Sequence, residues 1–250
     1  MRQARHRLGR RWPVALFAVL AALAAGCRAP GEPSAAAAVR DPQAKKAEVV
    51  LPVEDLRVRA SVTSWQAAKY ANTVRQRYDY SCGSAALATL LQYYFQDPVS
   101  EQLVLKTIFV RIAKSKDPKA ELEDRVKNGL SMLDLLYAAK DLGYLGAVVR
   151  IEFDKLSKTP APVIVRIEKF GYKHFVVFRG VVADRVFLAD PIRGNVRLPA
   201  AEFLRQWSGE ALFLGKSGFG LPTEHPLAVR VRGDPCPERD IAHQAMLPFP

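Results

Sequence analysis

The sequence is poor in the side chains from which metal and redox centres are built. Its 250 residues contain three cysteines and four histidines, and the spacings HExxH, HxxxH and CxxC are absent. Zinc sites in proteins are usually built on such spacings. The sequence therefore predicts no bound metal ion and no cofactor.

The positive charge is not concentrated in one block of the domain. The formal net charge is +12, and five arginines with no acidic residue precede residue 27. The rest of the chain therefore carries +7, and no run of lysine and arginine is interleaved with aromatic residues. Nucleic-acid binding usually requires such a basic patch, so no nucleic-acid partner is predicted.

The N-terminus has the organisation of an export signal. The arginine-rich start precedes an apolar run of twelve residues from Val14 to Ala25, too short for an ordinary transmembrane helix. The stretch LAAGC ending at Cys27 resembles a bacterial lipobox, although Ala24 stands where Leu, Val or Ile is usual. We predict a signal peptide over residues 1–26, a lipid on Cys27, and a location on the periplasmic side of the bacterial envelope. Secretion without a lipid is the alternative.

Composition divides the remainder into three parts. Residues 27–48 are rich in proline, alanine and charge and predict a linker after the lipid anchor. Residues 49–214 are patterned as a globular domain, and residues 215–250 as an irregular tail. Apolar spacing predicts helices at 84–95, from Ser100, and from an N-cap at Ser131 to Gly143, followed by strands at 147–151, 162–167, 174–179 and 185–189. Helices followed by strands indicate an α+β fold with helices packed on an antiparallel sheet.

Cys82 stands where a thiol can react. It lies in QRYDYSCGSAA, one or two residues before the first predicted helix, and a helix N-terminus favours the thiolate form. Gln76, six residues upstream, offers an uncharged N–H donor for a developing oxyanion. Two other interpretations remain: a small buried core residue, or a disulfide with Cys236 that would block chemistry in an oxidising compartment.

The positions of the histidines and acids relative to the predicted strands identify a candidate general base and the acid that would orient it. His6 lies in the signal and His225 and His243 in the tail, so only His174 belongs to a patterned element, at the start of a strand. Asp190 ends the following strand, before Pro191. If the two strands form an antiparallel hairpin, His174 and Asp190 lie at the same end of the sheet, where the acid can orient the imidazole.

These motifs resemble the peptidase C39 family of papain-like cysteine peptidases, which cleave leader peptides, often after Gly-Gly. The resemblance covers residues 70–214 and implies a papain-like fold with Gln76 in the oxyanion hole, Cys82 as nucleophile, His174 as base and Asp190 as its partner. Ser81 precedes the cysteine where many members have Asp.

The best-known members of that family are parts of ATP-driven peptide exporters, and this sequence shows neither transporter helices nor a nucleotide domain. The string from Gly209 to Ser217 has five residues between its glycines, where a phosphate-binding loop needs four. It predicts a strand and a turn. We therefore predict a stand-alone, exported member that uses no ATP.

The predicted reaction is Cys-His-Asp acyl transfer on a peptide or protein substrate, such as a secreted or fibre-forming protein. An inactive C39-like peptide-binding module of an envelope secretion or assembly system is one alternative. A different thiol enzyme, transglutaminase-like or amidase-like, is another.

Overall fold

The computed structural model describes residues 46–53, 56–169 and 171–229. The predicted signal peptide, Cys27, most of the predicted linker and Cys236 lie outside these ranges. The described residues belong to one compact unit. No helix within them is long and apolar enough to cross a membrane.

The described part contains a helical half followed by a strand-rich half. The elements are β1 (Lys46–Val53), β2 (Leu56–Thr63), α1 (Trp65–Lys69), α2 (Cys82–Tyr93), α3 (Glu101–Ile112), α4 (Pro118–Asn128), α5 (Met132–Asp141), β3 (Leu145–Arg150), α6 (Phe153–Leu156), β4 (Val163–Lys169), β5 (Tyr172–Val182), β6 (Arg185–Asp190), β7 (Gly194–Pro199), α7 (Ala200–Gln206) and β8 (Trp207–Gly215).

Six strands form one antiparallel sheet in the order β3-β8-β4-β5-β6-β7. The predicted α+β fold, with helices on an antiparallel sheet, is confirmed. The predicted hairpin is also present, since β5 pairs with β6 through a turn at residues 183–184. The string that begins at Gly209 lies in β8 and the turn after it, as expected.

Continuous apolar runs let the central strands bury both faces of the sheet, because successive side chains point to opposite faces. In β5, Phe175 and Val177 pack with α2, α3 and α5 on one face, whereas Val176 and Phe178 pack with Phe203 of α7 on the other. The strand that begins with the predicted base is therefore fixed between two cores.

Helix α2 is buried on all sides, although its apolar spacing predicted a single buried face. Eleven of its twelve residues are buried, with Gln92 the exception. Small residues allow this close packing: a Cβ added at Gly83 would lie 3.0 Å from Leu135 and 3.1 Å from Phe175. The N-terminus of α2 is thus fixed against both α5 and β5.

Several regions differ from the sequence-based expectations, and the helices α1, α6 and α7 and the strand β7 were not predicted. The β1–β2 hairpin begins at Lys46, inside the predicted linker, and it was not anticipated. Helix α4 was missed because none of its residues is buried, which removes the apolar period. Residues 216–229 form no helix or strand, but they are packed: Leu227 is fully buried and His225 is 7% exposed.

Candidate active site

Cys82 is the first residue of α2, not a residue of the preceding loop as the sequence suggested. The first N–H groups of a helix have no acceptor within the helix and carry its positive dipole end. The thiol is free of any disulfide, and Cys82, although 7% exposed, lines an open cleft. The residue is therefore largely buried in the fold but borders a cleft that a substrate can enter.

The β5–β6 hairpin brings His174 and Asp190 together. The register pairs Val177 with Ala189, which places the start of β5 beside the end of β6. His174 Nε2 lies 2.9 Å from Asp190 Oδ1. His174 also interacts with the side chain of Cys82, which contributes to the pKa of the imidazole.

The protonation states of His174 and Asp190 are set by their contacts with each other and with the side chains around them. Burial alone would lower the pKa of His174, but the hydrogen bonds and negative charges of Asp190 and Cys82 outweigh it and raise the pKa from 6.5 to about 9. Burial alone would raise the pKa of Asp190, but the hydrogen bond and charge of His174, with the charge of Arg193, hold it well below its usual range. At neutral pH the pair is therefore an imidazolium and a carboxylate.

Asp190 is held in place by the turn that follows it. Its Oδ1 accepts hydrogen bonds from the backbone N–H groups of Ile192 (2.8 Å) and Arg193 (3.0 Å), and its Oδ2 from Arg193 Nε (2.6 Å). The carboxylate has no solvent exposure. A buried charge with four donors is stabilised and cannot rotate freely.

Gln76 lies beside this turn. Its backbone N–H donates to the carbonyl of Pro191 (3.1 Å), and its side-chain Nε2 donates to the carbonyl of Tyr78 (2.9 Å). The first bond joins the loop before Cys82 to the turn after Asp190. One N–H of the side-chain amide is engaged and the amide carries a second, so the predicted oxyanion role stays a prediction.

The cleft at Cys82 has a volume of about 640 Å³. One wall is the loop with Asp79 and Tyr80, the second is the C-terminal half of α4 with residues 124–131, and the third includes Arg166 and residues 171–173. Helix α4 is anchored by Arg125, whose Nε donates to Asp134 Oδ2 at 2.7 Å. The sequence does contain signals for this helix. Asp117 caps its N-terminus and Pro118 occupies its first turn, while the acidic Glu121 lies in the first turn and the basic Lys127 in the last.

Sequence reasoning also missed Glu101, a buried carboxylate behind the Cys82 loop. It is 2% exposed, and its Oε1 accepts from Ser81 Oγ at 2.6 Å. The only local signal was an acidic residue directly after the N-cap Ser100. Among the described residues no group of three or more His, Cys, Asp or Glu side chains could hold a metal ion.

A thiol at a helix N-terminus, beside an imidazolium and a buried carboxylate on an antiparallel sheet, defines a papain-like cysteine peptidase. The chain belongs to the peptidase C39 family, whose profile it matches over residues 112–218. That match contains His174 and Asp190 but not Cys82.

Two relatives are proteins called "Probable functional amyloid protease FapD". The one from Pseudomonas aeruginosa is 32% identical over 182 residues, which cover 71% of this chain and 77% of the relative. The one from Pseudomonas fluorescens is 37% identical over 149 residues, 59% of this chain and 62% of the relative. This chain thus spans less than two thirds of the Pseudomonas fluorescens protein.

Two solved peptidase domains are also similar. The peptidase domain of Streptococcus ComA, a bifunctional ABC transporter, has 23% identity and a TM-score of 0.48, and covers 59% of this chain and 100% of that domain. A double glycine motif protease from an AMS/PCAT transporter, in complex with the leader peptide, has 27% identity and a TM-score of 0.46, and covers 58% of this chain and 91% of that protein.

Proposed function

We propose that this protein is an exported cysteine peptidase in which Cys82 is the nucleophile, His174 the general acid and base, Asp190 its orienting partner and Gln76 an oxyanion donor. The observation that carries the proposal is the double contact of His174. Its ring nitrogen Nε2 lies 2.9 Å from Asp190 Oδ1, and the ring interacts with Cys82, which lines the cleft. An imidazolium beside a sulfur favours the thiolate, which is the nucleophilic form.

The reaction has two steps. The Cys82 thiolate attacks the carbonyl carbon of the scissile bond, and the oxyanion is held by the Cys82 backbone N–H and the Gln76 amide. The C–N bond then breaks, and His174 gives its proton to the leaving amine. In the second step water attacks the thioester, its proton passes to His174, and the acid product leaves Cys82 free for another cycle.

The surroundings of Cys82 favour an extended peptide with an apolar segment. Tyr80 lines both the Cys82 cleft and a neighbouring groove of about 500 Å³, which Leu105, Phe109 and Val110 of α3 also line. A substrate that runs from one to the other would bury apolar side chains in the groove and expose its scissile bond to the sulfur. Family resemblance suggests cleavage after Gly-Gly. The names of the two Pseudomonas relatives suggest a fibre-forming amyloid precursor as substrate.

Export and lipidation complete the proposal. The arginine-rich start, the twelve-residue apolar run and the lipobox-like sequence at Cys27 support an enzyme held at the periplasmic side of the envelope by a lipid. Mass spectrometry of the protein isolated from membranes would test this. A mature chain that starts at Cys27 with an attached lipid supports it, and an unmodified chain that starts elsewhere contradicts it.

An inactive peptide-binding module is the competing function. The hydrogen bonds of Asp190 and the raised pKa of His174 argue against it, because a buried carboxylate–imidazolium pair is costly to desolvate and such pairs cluster at catalytic sites. A transferase with the same triad differs only in the acceptor of the acyl group, so analysis of the products distinguishes hydrolysis from transfer.

The test combines alkylation of Cys82 by iodoacetamide with cleavage of quenched-fluorescence peptides. We expect the folded protein to react faster than the urea-unfolded chain, and Cys82→Ala to remove both that fast phase and all cleavage. His174→Ala should slow cleavage by about 1,000-fold or more. If Cys82 reacts no faster in the folded protein and His174→Ala changes neither rate, the peptidase proposal is wrong.

A further inference from the structure

The N-terminus of α2 is capped differently from the other helices that begin after a serine. Ser64, Ser100 and Ser131 have ψ values of 147°, 159° and 161°, and each side chain accepts a hydrogen bond from the N–H three residues later. This is the ordinary capping arrangement. Ser81, at the N-cap of α2, has φ −97° and ψ 10° and makes no side-chain capping bond.

The hydroxyl of Ser81 is held elsewhere by a buried acid. Ser81 Oγ lies 2.6 Å from Glu101 Oε1 and 2.9 Å from the carbonyl oxygen of Tyr78, which compete for its one proton, and it accepts a hydrogen bond from the Tyr78 N–H at 3.1 Å. The same Glu101 oxygen accepts from the backbone N–H of Arg77 at 3.1 Å. One carboxylate oxygen at the start of α3 therefore fixes the loop between Gln76 and Cys82 at two points.

The carboxylate is retained there at an energetic disadvantage. Glu101 is 2% exposed, and its second oxygen, Oε2, is buried and has no hydrogen-bond partner among the described residues. Buried polar atoms without a partner are rare and destabilise the folded state. A catalytic role for the loop that Glu101 holds would explain why a carboxylate with an unpartnered oxygen lies behind the active site.

The ψ angle of Ser81 sets the orientation of the peptide plane that joins Ser81 to Cys82, and this plane carries the Cys82 N–H. A capping serine would rotate that plane from 10° toward the 147–161° of the other three. If the Ser81 hydroxyl capped the first turn of α2 in the ordinary way, instead of bonding to Glu101 and Tyr78, the Cys82 N–H would point in a different direction.

We propose that Glu101 is a positioning residue of the active site: it keeps the Ser81 hydroxyl off the N-terminus of α2 and so aims the Cys82 N–H at the oxyanion. The proposal rests on the function proposed above, in which that N–H is an oxyanion donor. Glu101 does not touch substrate and acts only through Ser81 and the loop.

The test uses two reactions of the same sulfur. Peptide cleavage passes through an oxyanion, whereas alkylation by iodoacetamide is a displacement at a saturated carbon and forms none. We expect Glu101→Ala to lower kcat by about 100-fold, the typical cost of losing one oxyanion donor. KM and the alkylation rate should stay within about 3-fold of the wild type, because substrate binding and the His174 contact are unchanged.

A second variant removes the competing hydroxyl. In Glu101→Ala the released Ser81 can cap α2, but in Ser81→Ala/Glu101→Ala no hydroxyl remains to do so. The double variant should therefore regain about 10-fold of the lost kcat, a non-additive result expected only of residues that act through one another. Glu121→Ala is the matched control, since Glu121 is also a first-turn acid, and it should leave kcat unchanged.

The proposal is wrong if alkylation falls together with kcat, or if the double variant is no faster than Glu101→Ala. Amide hydrogen exchange gives a readout that needs no activity. In Glu101→Ala the released Ser81 should cap the Ser84 N–H and slow its exchange, and unchanged exchange would contradict the proposal. Failure of the peptidase function itself would be seen separately, as absent peptide cleavage by the wild-type protein.

Discussion

A largely buried histidine from another part of the chain lies beside each end of α2, and the two are opposite in character. At the N-terminal end, the His174 side chain is 13% exposed and bonds to Asp190. At the C-terminal end, His225 is 7% exposed, its ring stands edge-on to Tyr94 at 4.8 Å, and its Nδ1 has no hydrogen-bond partner among the described residues. Both rings are largely shielded from solvent, and they differ in their partners.

The partners move the two pKa values in opposite directions. Burial and the positive charge of Arg179 lower the pKa of His225, against the smaller effect of Glu224. For His174, burial also lowers the pKa, but Asp190 and Cys82 raise it to about 9. A buried imidazole without a carboxylate stays neutral, whereas one with a carboxylate carries the proton that acid–base catalysis requires.

Removal of the carboxylate charge should make the first histidine resemble the second. Asp190→Asn keeps an oxygen for the backbone N–H groups of Ile192 and Arg193 but removes the charge that stabilises the imidazolium. We expect kcat/KM for peptide cleavage to fall by about 100-fold or more, and the pKa of His174 to fall. Both can be measured, the second from NMR titration of the imidazole.

The matched control for that variant is Asp184→Asn, in the turn of the same hairpin, where the side chain is 74% exposed. It should leave kcat/KM unchanged. If Asp190→Asn cleaves peptides at the wild-type rate, the carboxylate does not orient the base.

The contact between His174 and Asp190 beside the N-terminal end of α2 could be predicted from the sequence, whereas the contact of His225 beside the C-terminal end could not. Both outcomes depend on how far apart in the chain the contacting residues lie. His174 and Asp190 terminate two consecutive strands, and an antiparallel hairpin brings such termini together whatever the rest of the fold does. The contact of His225 with Tyr94 spans more than a hundred residues and lies in a segment without periodicity, so no local pattern encodes it.

The other incorrect predictions of the fold also concern features that no strong local sequence pattern encodes. Helix α4 buries no residue and shows only capping and charge signals, which are weaker than an apolar period. Helix α2 was placed correctly within two residues, but its burial on all sides depends on α3, α5 and β5 packing around it. The contact between Ser81 and Glu101 required the positions of two helices, and neither residue has a distinctive local pattern.

The raised pKa of His174 predicts a loss of stability at alkaline pH. The ordinary pKa of 6.5 is raised to about 9 in the folded state, so the folded protein holds the proton more tightly than the unfolded chain. The resulting stabilisation is fully present below pH 6.5 and is lost as the pH rises through 9. It is on the order of 3 kcal/mol.

Urea unfolding of the wild-type protein and of His174→Gln between pH 6 and pH 10 would measure this stabilisation. The difference between the two free energies of unfolding should shrink as the pH rises. A difference that stays constant across this range would show that the proton of His174 is not held by the fold.

The lowered pKa of His225 predicts the smallest effect, with the opposite sign. Since its folded-state pKa lies below the ordinary 6.5, the neutral form is favoured by folding, and its contribution is lost as the pH falls below 6.5.

His225→Phe keeps an aromatic ring against Tyr94 and removes the unpartnered Nδ1. We expect a gain of about 1 kcal/mol at pH 7 from that removal and a larger gain at pH 5, because phenylalanine binds no proton. Urea unfolding at the two pH values measures both gains, and His243→Phe, a histidine of the tail, is the control. Peptide cleavage should be unchanged, since His225 lies at the far end of α2 from Cys82. A smaller gain at pH 5 than at pH 7 would mean that His225 is protonated in the folded protein, and that the two ends of α2 are alike after all.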